Sequence, residues 1–337
     1  MKNYLVGINY FAGWWRGAHS GWLGPGYDWR LEYPERIPAL GCFSDLPTME
    51  AEIDAASEHG VDFFQMLWYV QKPPRMEDGE KLNRCFDYFR QAKNRHKMKF
   101  VLEFCQHPPF EVREDELWAD CVREWIEIMK DPCYLRIEGR PVFKIHGLMH
   151  FYAQYDKDLG LCRRRIDWLR QEARKAGLGE LIIGAGVMAE DVTEEEILCS
   201  DMVDYLTTYA DFGTLPGREV DYPYEDLERQ AAEGRLRIAG KIKIPYVPFV
   251  MAGWNPRPWK YTTPIYRLPD EKQWRKTLET LRASLEDPRL QIRKGVRMFT
   301  VYAWNEYGEG GFMAPTLGEK TMKLDVLRDV FGGTDEN

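Results

Sequence analysis

A chain of 337 residues, 44% apolar and 30% charged, is long enough for one large core or two ordinary ones. Its net charge of −8 argues against a nucleic-acid partner, whose phosphates demand a basic face, and no window approaches the roughly 20 apolar residues of a membrane span. A neutral ligand fits these numbers better, and an aromatic content of 14%, with 12 Trp, offers flat apolar surface to meet it.

Short apolar runs alternate with longer amphipathic stretches along the whole chain. Tyr4–Tyr10 reads as a strand, and residues 48–59 as a helix opened by Thr48 with Glu50 and Glu52 in its first turn. Residues 61–69 are strand-like, followed by a helix around 79–95. Residues 99–105 form a third strand before a helix over 114–129, where Leu117, Cys121, Trp125 and Ile128 recur at helical spacing. The same reading gives strands over 141–146, 181–185, 203–209, 242–251 and 296–303. Their helices fall at 160–176 (closed by Gly177), 193–199, 223–233, 270–285 and 321–331.

About eight βα units match a closed (β/α)8 barrel of the TIM type, an α/β fold whose active site lies at the C-terminal ends of the strands. No Gly-, Ser- or Pro-rich linker interrupts them. The expectation is one catalytic barrel over residues 1–331 and a polar, disordered tail over 332–337. A doubly wound open sheet is the rival, but the Gly7-to-Gly13 segment is filled with bulky aromatics and offers no glycine-rich phosphate turn.

In a barrel, residues at strand ends meet at one mouth. Tyr10 and the Trp14–Trp15 pair follow strand one, Trp68 and Tyr69 end strand two, and Glu103 and His107 end strand three. His146 ends strand four, Tyr209 and Asp211 follow strand six, and Trp254 and Asn255 follow strand seven. Strand eight runs into Trp304-Asn305-Glu306-Tyr307-Gly308-Glu309-Gly310. Two carboxylates beside aromatic rings supply an acid, a base or nucleophile, and flat surfaces for sugar faces. Alone, the segment suits a solvated turn equally well.

The other groups have competing readings. Glu103 sits in the apolar run Phe100–Phe104, where an unpaired charge is costly; it is either an interior ion-pair partner or, as favoured here, a ligand for a sugar hydroxyl. His146, Trp68 and Tyr69 divide evenly between core and site, whereas Tyr10 leans toward the site. The Gly- and Pro-rich loop around Trp254 and Asn255 crosses the mouth or the surface. His107, His146 and His150 match no zinc spacing, so neither metal nor cofactor is expected. Cys105 near His107 suggests a thiol nucleophile but more often such a residue is packing. Seven scattered cysteines without metal spacing read as free thiols. Together with a start lacking a leader's apolar stretch, they lead to the expectation of a cytoplasmic protein, with a periplasmic or cell-surface location the alternative if a leader has been removed.

The string Trp304–Gly310, with Pro315, Thr316 and Gly318 after it, resembles the Asn-Glu-Trp-x-Glu-Gly segment of glycoside hydrolase family 99 and of the related WbsX-type proteins, often labelled glycosyltransferases. Gly7–Phe11, Glu138–Phe143 and Gly253–Arg257 agree in order and spacing. The resemblance implies a (β/α) barrel acting on α-mannosides with retention. It makes Glu306 the base, drawing a proton from the sugar's 2-hydroxyl as that oxygen attacks the anomeric carbon, and Glu309 the general acid. It places Glu103, Tyr10, His146 and Tyr209 among the substrate contacts, to which the strand-end reading adds Trp14, Trp68, Tyr69, Trp254, Asn255, Trp304 and Asn305. The chain departs from the family at Tyr307, where Trp is usual, and at Gly308, where the mannosidases have His. A carbohydrate is the expected partner; the alternatives are a surface-polysaccharide glycosyltransferase and a non-catalytic glycan-binding barrel.

Overall fold

The computed structural model describes residues 4–17, 19–24, 27–73, 76–217 and 221–332. Eight parallel strands form its centre: β1 (Tyr4–Tyr10), β2 (Phe63–Trp68), β3 (Lys99–Phe104), β4 (Arg140–Ile145), β5 (Ile182–Gly186), β6 (Tyr205–Thr207), β7 (Phe249–Met251) and β8 (Arg297–Tyr302). They are hydrogen-bonded in the order β6-β5-β4-β3-β2-β1-β8-β7. The parallel bridge between Leu206 and Tyr246 joins β6 to the run entering β7 and closes the ring. Around it lie α1 (Leu46–Glu58), α2 (Met76–Gln91), α3 (Asp115–Met129), α4 (Leu159–Lys175), α5 (Glu194–Cys199), α6 (Tyr224–Lys241), α7 (Glu271–Ser284) and α8 (Met322–Phe331). The TIM-type barrel expected from the alternation is therefore present.

Strand parity sorts the side chains. Alternate residues of a strand face opposite ways, so positions two apart climb one wall of the barrel. Phe63, Val101, Val142 and Tyr205 pack as an apolar plug at the bottom. Gly7 leaves room for it, because a Cβ there would fall 2.1 Å from the Phe63 ring. Two residues on stand Asn9, Gln65, Glu103 and Lys144, all buried. Two further on, Phe11, Leu67, Cys105, His146 and Tyr209 line an open cavity. The intervening residues, such as Ile8, Phe104 and Ile145, pack in the larger cluster that includes the helices.

Several predicted boundaries shift for local reasons. Asp45, not Thr48, caps α1: its carboxylate accepts the Thr48 amide at 3.0 Å, which places Thr48 in the first turn. The second helix ends at Gln91, ahead of a separate 3-10 turn at Arg95–Lys97, and α6 runs on to Lys241. β7 keeps only Phe249–Met251 of the predicted 242–251 run, since Pro245 and Pro248 have no amide to donate to a ladder. Thr193 and Glu196 form the capping box of α5. All seven cysteines are free. Of the expected tail, Gly332 caps α8 and residues 333–337 lie outside the described residues. Among the described residues no helix is long and apolar enough to cross a membrane.

Candidate active site

After β8 the chain folds back over the barrel mouth, and short bonds to β1 fix it there. The Trp304 amide donates to Asn9 O at 2.7 Å. The Asn305 side chain takes the Phe11 amide at 2.9 Å and gives its own N–H to Phe11 O at 2.7 Å. An antiparallel hairpin follows, β9 (Asn305–Glu306) and β10 (Gly311–Phe312). Its turn needs glycine at Gly310, where φ is +78° and a Cβ would lie 2.8 Å from the Asn255 amide nitrogen. Glu306 on β9 and Glu309 at the turn consequently line the same cavity, of about 600 Å³.

The cavity walls are largely aromatic. Phe11, Trp15, Tyr69, Tyr209, Trp259 and Tyr261 line the cavity, together with the imidazoles of His107 and His146. Burial pushes both the Glu306 and the Glu309 carboxyl up to about 8. Tyr209 Oη, which donates to Glu306 Oε1 at 3.3 Å, opposes that rise at Glu306, and the Tyr261 hydroxyl opposes it at Glu309. Tyr302 Oη also donates to Glu309 Oε2. Glu306 Oε2 is buried without a hydrogen-bond partner.

Beneath the cavity the buried polar layer forms one network. Gln65 Nε2 donates to Asn9 Oδ1 and to Glu103 Oε2, each at 2.7 Å. Glu103 Oε1 accepts from Lys144 Nζ at 2.9 Å and meets His146 Nδ1 at 2.8 Å. Burial alone would raise the Glu103 carboxyl, but the Lys144 ammonium and His146 outweigh it and hold it below its ordinary value. The anchored His146 ring packs 4.6 Å from that of Tyr209.

Of the residues predicted from sequence, the structure brings Glu306, Glu309, Trp15, Tyr69, His107, His146 and Tyr209 to the cavity. Glu103 has the right parity but lies one layer too deep; it is the interior ion-pair partner rather than a surface for a hydroxyl. Tyr10 and Trp68 have the wrong parity and face the helices. Tyr10 Oη donates to Glu52 Oε2 at 2.7 Å, and Trp68 Nε1 to Glu124 Oε1 at 2.8 Å. Trp14 is buried against Trp22, Trp29, Trp259 and Tyr307, and so supports the rim from behind. Trp304 packs on Phe64, and Asn305 is spent on the Phe11 backbone. Trp254 is buried, its Nε1 bonded to Thr263 Oγ1 at 3.1 Å. Asn255 is a buckle, holding Tyr266 O and accepting from Arg36, while its amide donates to Glu309 O.

The sequence reading did not nominate Phe11, Leu67, Trp259 or Tyr261 for the site. Parity counted from Phe63 would have found Leu67; Trp259 and Tyr261 lie just past the flagged Gly253–Pro258 loop. It also passed over Asp156-Lys157-Asp158, an Asp-x-Asp triplet; Asp158 caps α4, and neither aspartate lines the cavity. The Cys105 thiol is pushed far up by burial, which makes it a poor nucleophile. Among the described residues no group of three His, Cys, Asp or Glu side chains is placed to hold a metal.

The model of the family described as "Glycosyltransferase WbsX" matches residues 110–327. No curated protein matches the sequence. Among solved structures, a "Glycoside hydrolase-like protein" is similar with a TM-score of 0.67 at 16% identity, covering 98% of this chain and 94% of that one. The GH99 endo-alpha-mannosidase from Bacteroides thetaiotaomicron is similar with a TM-score of 0.54 at 14% identity, covering 97% and 98%. The beta-glycosidase BGL167 gives 0.53 at 12% identity, covering 98% and 96%. At these identities the likeness is one of fold, the barrel of glycoside hydrolases over its full length. The sequence match takes in more than half of the chain, which therefore belongs to the WbsX family.

Proposed function

We propose that the protein is a glycoside hydrolase that cleaves an oligosaccharide or polysaccharide with retention, using Glu306 and Glu309 as its proton-transfer pair. One observation supports this above the rest: two carboxyls lining a single aromatic-walled cavity, each carried by burial to about 8. Around pH 8 one carboxyl can be ionised while the other keeps its proton, which is what an acid and a base acting together require.

The roles follow depth and resemblance. Glu306 is buried and Glu309 only half-buried. Glu306 takes the proton of the sugar's 2-hydroxyl as that oxygen bonds to the anomeric carbon. Glu309 gives its proton to the departing glycosidic oxygen as the bond to it breaks. Water, losing its proton to Glu309, then opens the three-membered ring at the anomeric carbon, and Glu306 returns the proton to O2. Two inversions at one carbon leave the configuration retained. An endo-acting α-mannosidase-like specificity is the version that the family resemblance favours.

A sugar-transferring enzyme is the second reading, favoured by the description of the matching family. A sugar-nucleotide donor carries a diphosphate, and among the described residues that line the cavity none is Lys or Arg. The two readings separate on incubation with a defined α-mannan panel and, in parallel, with sugar nucleotides plus acceptor. Hydrolysis with neither nucleotide release nor transfer is expected. Replacing Glu309 with Gln should cut turnover of natural glycans by about 10²–10⁴-fold. A leaving group of low pKa should restore much of it, and undiminished turnover of natural glycans would remove Glu309 from the role.

A further inference from the structure

Behind the His146–Tyr209 pair lies a second compartment of about 310 Å³, for which His146 and Tyr209 also form a wall. Its character differs from that of the first. Met149, Val187, Met188, Ala210 and Phe212 make up its apolar sides. Glu196 is also there, its Oε2 accepting from the Thr193 amide at 2.8 Å and from the Thr193 hydroxyl at 3.1 Å in the capping box of α5. His150 adds one imidazole.

The walls are held from outside the compartment, so it is formed before anything binds. Phe212 packs on Trp254 with ring centroids 5.8 Å apart, and its carbonyl accepts from Tyr266 Oη. Tyr209 O accepts from Asn9 Nδ2 at 3.1 Å, and Asp211 Oδ1 from the Gly213 amide at 2.7 Å. The Val187 amide bonds to Thr207 O at 2.8 Å. Gly186 lets the end of β5 come close to the chain after β4, since a Cβ there would fall 1.9 Å from His146 O. Met188 remains 43% exposed, an apolar side chain kept in water at the edge of a preformed hollow.

A plain hexose presents hydroxyls around its rim and would strip water from them against methionine and valine without replacing those hydrogen bonds, which is unfavourable. A sugar carrying a methyl group would bury it there and gain. Because Tyr209 contacts Glu306 on one side and walls this compartment on the other, a unit seated here adjoins the one bound at the carboxylates. We propose that the compartment selects glycans whose adjoining sugar bears a methyl group, as an acetamido or O-acetyl substituent or as the C6 methyl of a 6-deoxyhexose. The inference rests on the reading of the larger cavity as a glycan site.

Binding to the full-length Glu309→Gln protein tests it apart from turnover. Matched disaccharides carrying a plain hexose, a 6-deoxyhexose, an N-acetylhexosamine or an O-acetylated hexose at the adjoining position are titrated by calorimetry. At least one methyl-bearing ligand should bind about tenfold or more tighter than the plain one, the usual worth of an added apolar group in a hydrophobic pocket. The three substituted arms distinguish the sources of the methyl. Adding Met188→Lys should collapse the preference toward unity, and adding Met188→Leu should keep it. Equal binding of all four ligands, or a preference indifferent to Met188→Lys, overturns the proposal. A retained preference in a protein whose unmutated form cleaves no glycan would instead strike the hydrolase reading and leave the compartment standing.

Discussion

Tyr209 joins the acid chemistry to the buried scaffold. Its hydroxyl touches Glu306, its ring packs on His146, and its carbonyl is held by Asn9 across the barrel. Burial carries both carboxyls to about 8, so each exchanges its proton around that value. On the proposed roles, lower pH leaves the proton on Glu306, the base, and higher pH removes the proton that Glu309, the acid, has to give. The kcat/KM profile is therefore expected to be a bell centred near pH 8. The Tyr209 hydrogen bond favours ionised Glu306, so Tyr209→Phe should raise the Glu306 pKa and move the acidic limb upward. A limb that stays in place while activity falls would mean that Tyr209 serves packing alone.

At the scale of elements, the hairpin that carries the carboxylates is tied down by one buried guanidinium. Arg36 donates to Asn255 O and Oδ1, each at 2.9 Å, and to Tyr307 O at 3.2 Å, bolting the loop after β7 to the loop after β8. Burial lowers its pKa to about 10, which still leaves it charged at neutral pH. Arg36→Met should destabilise the protein by about 1–3 kcal/mol for each acceptor left unsatisfied, read as a lower urea midpoint. Arg36→Lys should not restore it, because a single ammonium cannot reproduce the planar fork. A midpoint unchanged in both variants would show the tie to be dispensable.

No local pattern announces this tie, which pairs a residue before α1 with loops more than 200 positions away. The strands were different. Their apolar runs identified each of the eight, and the count led to the barrel. The side-chain assignment failed wherever a residue at a strand end was taken for one pointing inward. Tyr10 and Trp68 are aromatic and terminal, but they lie an odd number of steps from Gly7 and Phe63 and so face the helices. Glu103 was placed on the right wall and in the wrong layer, because sequence fixes alternation but not height above the plug. Trp14 and Trp254 look like rings for a sugar to stack on, yet Trp14 packs on Trp259, which lines the cavity, and Trp254 on Phe212, which lines the second compartment.

Across the whole molecule, several buried carboxyls set the response of stability to pH. Burial raises Asp211 from 3.8 to about 7, and Glu52 and Glu228 from 4.5 to about 7. The fold keeps these groups protonated while the unfolded chain ionises them. Their contribution is fully present below about pH 4 and is lost as pH rises through 7. Melting temperature should accordingly decline between pH 5 and pH 8. Asp211→Asn, which keeps the shape and the acceptor for the Gly213 amide, should flatten that slope; an equally steep decline in the variant would assign the effect elsewhere. The apolar plug and the charged layer above it have a further consequence for traffic. With the barrel stoppered below by Phe63 and its neighbours and sealed above them by the Glu103–Lys144 pair, the axis is no tunnel. Ligand therefore enters and leaves at the strand-end face, and in a cleaving enzyme the fragment slower to depart from that face governs how soon the next chain is admitted.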